Sequence, residues 1–258
     1  MEVNGIRVNY RVDGAGERWV SFVTGIANDL TMWDGQVAAL ERDFRVLRYD
    51  LRGHGGTQAT KPPYTIDLLV RDLVGLLDAL KIRRTHLVGL GLGGAIAQAA
   101  AIDYPDCFPS LAACCCRARM VPDFAVMWHK LRETVGRNGV ESIVEQTAQR
   151  WFSEEFKAAN PRVLDGVRSM IRGTTPDGYL GATAAFLGLD VEERLPRIKA
   201  RTLYVSGAED KLGGPPELMR GLAEKVPGAR HVSVPGAAHI ANIQNPPAFN
   251  RALREFLG

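Results

Sequence analysis

Cysteine is scarce in this chain: Cys107, Cys114, Cys115 and Cys116 are the only four among 258 residues. They form no Cys-x-x-Cys pair, so no disulfide framework or cysteine-based metal site is spelled out. The three consecutive ones lie in an apolar segment and read as small buried hydrophobes, alternating between the two sides of a strand. No run of 18 or more apolar residues occurs, and a membrane-spanning helix is not expected. The opening MEVNGIRVNYRV has neither the basic start nor the apolar stretch of a secretory leader, and its Asn4-Gly5 reads as a hairpin turn. A cytoplasmic protein is expected. An excess of one charge is missing too: 32 Lys and Arg face 29 Asp and Glu, a net +3 dispersed along the chain. That leaves no electrostatic footprint for nucleic acid, and the pair Arg83-Arg84 reads as a solvated connector.

Internal repeats, low-complexity tracts and linkers are also absent. His86, His129 and His231 have no ligand spacing, so metal catalysis has no support. Gly89, Gly91, Gly93 and Gly94 match a dinucleotide fingerprint loosely. Cys114–Cys116 occupy the place about 20 residues on where an acidic ribose ligand belongs, and that reading is rejected. No cofactor is called for, and no oligomeric state is specified.

What the chain does have is a core and a pattern. It is 46% hydrophobic and 24% charged, as an ordinary globular domain is. Residues 3–12 and 19–24 read as the first strands, and RVLRYDLRG (45–53) as a buried strand feeding a loop. Leu68, Leu69, Leu73, Leu76, Leu77 and Leu80 predict a helix over 65–80. THLVGL (85–90) is a strand, 93–105 a helix rich in small residues and LAACCC (111–116) the next strand. From about 122 to 189 the text turns wholly helical. Strands resume at 201–210 and 229–239, with helices at 216–226 and 246–257. Such alternation predicts a mostly parallel sheet flanked by helices, in a core of residues 1–121 and 190–258, with 122–189 inserted as a helical lid.

Ligands of such sheets sit at the carboxyl ends of the strands, here after residues 24, 50, 90, 116, 206 and 234. After THLVGL comes Gly91, ringed by glycines at 89, 93 and 94. A strand-to-helix turn this tight holds its central residue in a strained conformation that projects into a cleft. The helix that follows aims its free N–H groups there, ready to stabilise an oxyanion. Asp210 follows one later strand and His239 another. A carboxylate and an imidazole so placed are the separated parts of a proton-transfer pair.

The whole chain resembles the α/β-hydrolase fold proteins, and within them the 3-oxoadipate enol-lactonase-like branch. The matching text is DLTMWDGQVAAL (29–40), RVLRYDLRGHG (45–55), HLVGLGLGGAIAQ (86–98), TPDGYLGATAAF (175–186), LYVSGAEDKLGGPP (203–216) and PGAAHIANIQNPPAFNRALREFL (235–257). The resemblance implies attack on a small carboxylic ester or lactone, with Asp210 the triad acid, His239 the base and position 91 the nucleophile. Two departures stand out. The family's nucleophile is serine, and the residue here is Gly91. The first oxyanion segment reads Thr24-Gly25-Ile26-Ala27. The N–H groups of Ile26 and Leu92 still suffice for an oxyanion hole, while Thr24 either adds a hydroxyl or is a plain strand residue.

Three readings remain open. The chain is a hydrolase disabled by an engineered Ser→Gly change that traps substrate. Or Gly91 is native and the His239–Asp210 pair acts as a general base without a covalent step, on water or on a carbon acid as in lyase, isomerase or cofactor-free oxygenase chemistry. Or the fold is a non-catalytic ligand receptor. Thr24, Gly25, Trp128 and Trp151 are candidate pocket residues, although core packing explains the two tryptophans equally well. Arg52, Arg117 and Arg119 stand near strand ends as candidates for a substrate carboxylate, or as structural residues. His54 is expected to order the loop after the 45–50 strand, and Trp33 to anchor the core. Cys115 and Cys116 lie near a strand end with nothing to lower a thiol's pKa.

Overall fold

The computed structural model describes residues 1–258. β1 (Glu2–Val3) and β2 (Ile6–Arg7) pair as a separate hairpin. Asn4 and Gly5 turn it, with the two positive φ angles, 47° and 76°, that a tight hairpin needs. The stretch expected as one strand over 3–12 is thus broken by its own turn. β3 (Tyr10–Asp13), β4 (Arg18–Val23), β5 (Phe44–Tyr49), β6 (His86–Leu90), β7 (Ser110–Cys114), β8 (Arg201–Gly207) and β9 (Arg230–Val234) build one sheet. Its order is β3-β5-β4-β6-β7-β8-β9, and every pair except the antiparallel β3–β5 is parallel. β7 ends at Cys114, short of the expected Cys116, because Cys115 turns the chain with φ 45°.

The helices are α1 (Asp34–Leu40), α2 (Ile66–Ala79), α3 (Leu92–Asp103), α4 (Pro122–Asn138), α5 (Glu141–Trp151), α6 (Glu154–Ala159), α7 (Pro161–Arg172), α8 (Pro176–Leu187), α9 (Pro216–Lys225), α10 (Ala241–Gln244) and α11 (Pro246–Leu257). Thr65, Ser153, Thr175 and Asn245 start four of them by accepting a first-turn N–H on the side chain. β6 and β7 are apolar and almost wholly buried, as strands covered on both faces must be. α3 packs on them closely because its residues are small: a Cβ on Gly94 would lie 2.6 Å from that of Cys116. Trp33 has no exposure and packs on Phe22 with ring centroids 4.6 Å apart, within the core. No helix is long and apolar enough to cross a membrane.

β4 lies between β5 and β6, so the chain turns to opposite sides of it and opens a crevice at the carboxyl ends of β4 and β6. The helices α4–α8 leave and return through one neck. There Met120 N–H donates to Leu189 O at 2.9 Å, and Val191 N–H to Ala118 O at 2.8 Å. They are tied down at two further places. The Gly53 carbonyl accepts from the N–H and hydroxyl of Thr175 at 2.9 and 3.0 Å. Ile240 N–H donates to Trp151 O, and Gln244 Nε2 to Ser153 Oγ at 2.6 Å.

His54 sits in the loop that carries Gly53. It is wholly buried, with Nδ1 3.0 Å from Arg52 O and Nε2 unpartnered. Burial pushes its pKa from 6.5 down to about 4, against the opposing pull of the Arg52 carbonyl and Asp29. Below pH 6.5 the unfolded chain therefore binds a proton that the folded chain refuses. Stability is full above that pH and falls as the pH drops towards 4, by about 3 kcal/mol in all. Urea midpoints at pH 7 and pH 4.5 check this: His54→Gln should lose less stability on acidification than the parent. Equal losses would remove His54 from the account.

Candidate active site

The turn from β6 into α3 is fixed by close approaches. A Cβ on Gly93 would lie 2.2 Å from Val23 O, and one on Gly89 2.2 Å from Gly93 O, so neither position admits a side chain. Between them Gly91 holds φ 61° and ψ −121°, a conformation that L side chains rarely adopt. Its N–H donates to Cys114 O at 3.0 Å and its carbonyl accepts from Ala95 N–H at 3.2 Å. At Gly91 itself there is room. An added Cβ would meet nothing closer than His239 Nε2 at 3.8 Å and Gly25 Cα at 3.9 Å, both ordinary contacts.

The loops after β8 and β9 run side by side, since Ala208 N–H donates to Val234 O at 2.9 Å and Glu209 N–H to Ala237 O at 2.8 Å. That pairing brings Asp210 to His239, with Oδ2 3.1 Å from Nδ1. Asp210 is buried and also accepts the N–H groups of Leu212 at 2.7 Å, Gly213 at 3.2 Å and Gly214 at 2.9 Å. Burial alone would raise its pKa. The charge and hydrogen bond of His239, with the N–H groups of Leu212 and Gly214, outweigh burial and hold the carboxyl below its usual range. An ionised Asp210 accepts a hydrogen bond from Nδ1–H, which leaves Nε2 the acceptor nitrogen, facing position 91. Gly213 lies against the ring: a Cβ there would be 2.2 Å from Cε1.

Leu92 is the first residue of α3, so its N–H has no acceptor within the helix. The N–H of Ile26 donates to no group of the chain. Both residues, with Gly25, Gly91 and His239, line a cavity of about 50 Å³. Its walls are largely apolar. α4 contributes Phe124, Met127, Trp128 and Leu131, and α5 contributes Thr147, Arg150 and Trp151. Trp128 packs edge-on against Phe186 at 5.2 Å, with its indole Nε1 buried and unpartnered. Thus Trp128, Trp151 and Gly25 all reach the cavity. Thr24 does not line it: its side chain is fully buried, and the hydroxyl has no partner.

The three arginines singled out in the sequence are placed elsewhere. Arg52 pairs with the buried Asp72 at 2.6 and 2.9 Å. Arg117 lies over the Phe124 ring at 4.0 Å, and Arg119 is exposed, its backbone paired with that of Asp190 in an isolated antiparallel bridge. The cavity's cation is Arg150, which sequence reasoning missed. Its Nε is buried without a partner, and its closest polar contact is Met127 Sδ at 3.0 Å. No carboxylate pairs with it, while burial pushes its pKa down. Its signal lay in spacing: 124, 127, 128 and 131 mark one face of α4, and 147, 150 and 151 one face of α5. Asn28 and Tyr179 were missed as well. Cys115 and Cys116 are buried, and burial drives both thiols far from a reactive thiolate. No cluster of three or more His, Cys, Asp or Glu is placed to hold a metal ion.

Residues 18–246 match the alpha/beta hydrolase fold family. Among curated proteins, 3-oxoadipate enol-lactonase 1 of Acinetobacter baylyi is 30% identical, over 92% of this chain and 88% of that protein. The enol-lactonase of Burkholderia xenovorans LB400 superposes with a TM-score of 0.94 at 36% identity, covering 99% of this chain and 98% of the other. A thermophilic esterase of Thermogutta terrifontis, solved with malate bound, gives 0.92 at 32% identity, covering 98% and 93%.

Proposed function

The chain belongs to the α/β-hydrolase fold family, and from that premise we propose that its cleft is the site of a hydrolase for small carboxylic esters or lactones. Position 91 is the seat of the nucleophile, His239 the base and Asp210 the acid that orients it. The N–H groups of Ile26 and Leu92 form the oxyanion hole, and residues 122–189 are a lid over a core of 1–121 and 190–258. One observation carries the reading: at position 91 the backbone keeps the strained turn, and an added side chain would point at His239 Nε2 with no clash. A site that only binds has no need of an imidazole oriented by a carboxylate towards that spot. With glycine there the chain has no Oγ to acylate, so a serine-based acyl-enzyme is not open to it.

Arg150 narrows the substrate. A half-buried guanidinium with no counter-ion and a buried, unpartnered Nε, in the same cavity as the unpartnered indole N–H of Trp128, fits an acid part that carries its own carboxylate. The malate held by the Thermogutta esterase is a small molecule of that charge. The test sets Gly91→Ser beside the parent on paired esters and lactones with and without a carboxylate. In the serine form, Arg150→Met should raise KM for the carboxylate-bearing member by about 10–100-fold, the loss of one charged hydrogen bond. The neutral member should change little. Equal effects on both would discard the anionic subsite, and an inert serine form would discard the hydrolase.

A further inference from the structure

We infer that the chain with glycine at 91 is itself a catalyst: His239 activates water held in the space above Gly91, and that water attacks the carbonyl directly. The inference rests on the cleft being an ester- and lactone-binding site. It follows from three features of the molecule together.

The first is space. The point where a Cβ would stand is 3.8 Å from His239 Nε2 and 3.9 Å from Gly25 Cα, with no other atom nearer. A water oxygen about 1 Å closer to the ring is at hydrogen-bond distance from Nε2. The second is a free base. Nε2 makes no hydrogen bond within the chain, while Nδ1 is held by Asp210. The third is supply. A wider, more open polar hollow, walled by Gln149, Ser153, Glu154, Glu209 and Lys211, shares Arg150, Leu212 and His239 with the apolar cavity. Water thus has a polar approach to the imidazole that does not cross the apolar walls contributed by α4.

The chemistry balances without a co-reactant. Nε2 takes one proton from water as the water oxygen bonds to the carbonyl carbon, and the carbonyl π pair moves onto oxygen. The N–H groups of Ile26 and Leu92 hold that oxyanion. It collapses and breaks the bond to the leaving oxygen, which takes the proton back from Nε2. One ester and one water give one acid and one alcohol; a lactone gives one hydroxy acid.

The experiment follows 4-nitrophenyl acetate and dihydrocoumarin with four proteins: the parent, Gly91→Ala, His239→Ala and Gly91→Ser. The parent should turn over both above the buffer rate, with no burst. His239→Ala should lower that rate by about 10²-fold or more, as for loss of a general base. Gly91→Ala should lower it at least about tenfold, because its methyl group occupies the water's place and supplies no nucleophile. A parent rate indifferent to His239→Ala, or unchanged in a folded Gly91→Ala, overturns the inference. Should Gly91→Ala not fold, intact mass during turnover decides: the parent carries no acyl adduct if water attacks directly, and any acyl adduct on it overturns the claim. An active Gly91→Ser beside an inert parent sinks this inference alone. If both are inert, the underlying reading of the cleft fails.

Discussion

Hydrolysis of small activated esters and lactones should rise on the order of 10³-fold or more when Gly91 is replaced by serine, and a burst of one alcohol per site should appear. The expectation comes from the local geometry rather than from the fold alone. A side chain at 91 departs from the backbone towards His239, and its first atom would stand 3.8 Å from Nε2. A hydroxyl one bond further reaches hydrogen-bond distance of that nitrogen. Nε2 then removes the Oγ proton during attack and later returns it to the leaving oxygen. The rest of the proposed site is consistent with it: Asp210 lies on Nδ1, and Ile26 and Leu92 line the cavity. The same substitution should cost stability. At φ 61° and ψ −121° a side chain is held where glycine alone is at ease, at a cost of about 1 kcal/mol. For a domain of this size that is a fall in Tm of about 2–4 °C. An unchanged or higher Tm would argue against a strained turn.

In the serine form, Asp210→Asn should lower kcat on the order of 10⁴-fold, the scale known for a misdirected triad imidazole. Every group that faces Asp210 is a donor: Nδ1–H of His239 and the N–H groups of Leu212, Gly213 and Gly214. A carboxylate has two oxygens to receive them. An asparagine has one, and its NH₂ must confront either the backbone donors or the imidazole. If it turns to the imidazole, His239 takes the opposite tautomer and Nε2 carries the proton that it should accept. If it turns to the backbone, buried N–H groups lose their acceptor, at a cost of about 1–3 kcal/mol. The two cases separate experimentally: the first loses rate at nearly unchanged Tm, the second loses both. A variant that keeps rate and Tm together would show that Asp210 does not govern His239.

The sheet, the turn at Gly91 and the order of acid and imidazole were legible because local rules set them. Glycines at 89 and 93 are forced by backbone atoms 2.2 Å from where a Cβ would be, and such constraints leave a mark in any sequence. The Asn4-Gly5 hairpin is of the same kind, since its two positive φ angles demand those residue types. The cavity walls were not legible in this way. Whether Phe124, Met127, Trp128 and Leu131 face a core or a pocket depends on where α4 settles, and a helical stripe looks alike in both cases. Arg150 was hidden for that reason, while Arg52 drew attention by standing near a strand end yet answers to Asp72. Thr24 shows the limit from the other side: it opens the segment proposed for the oxyanion hole, but its side chain is packed away from the cavity.

The most direct test of the account is the mass of the Gly91→Ser protein mixed with a slowly released acyl donor, 4-nitrophenyl butyrate, followed by peptide mapping. The account predicts one butyryl group per chain, on the serine at position 91, and its accumulation on treatment of the His239→Ala double variant should be far slower. No adduct, or an adduct on Cys107 or another side chain with position 91 untouched, would contradict the claim that this turn is the seat of a nucleophile.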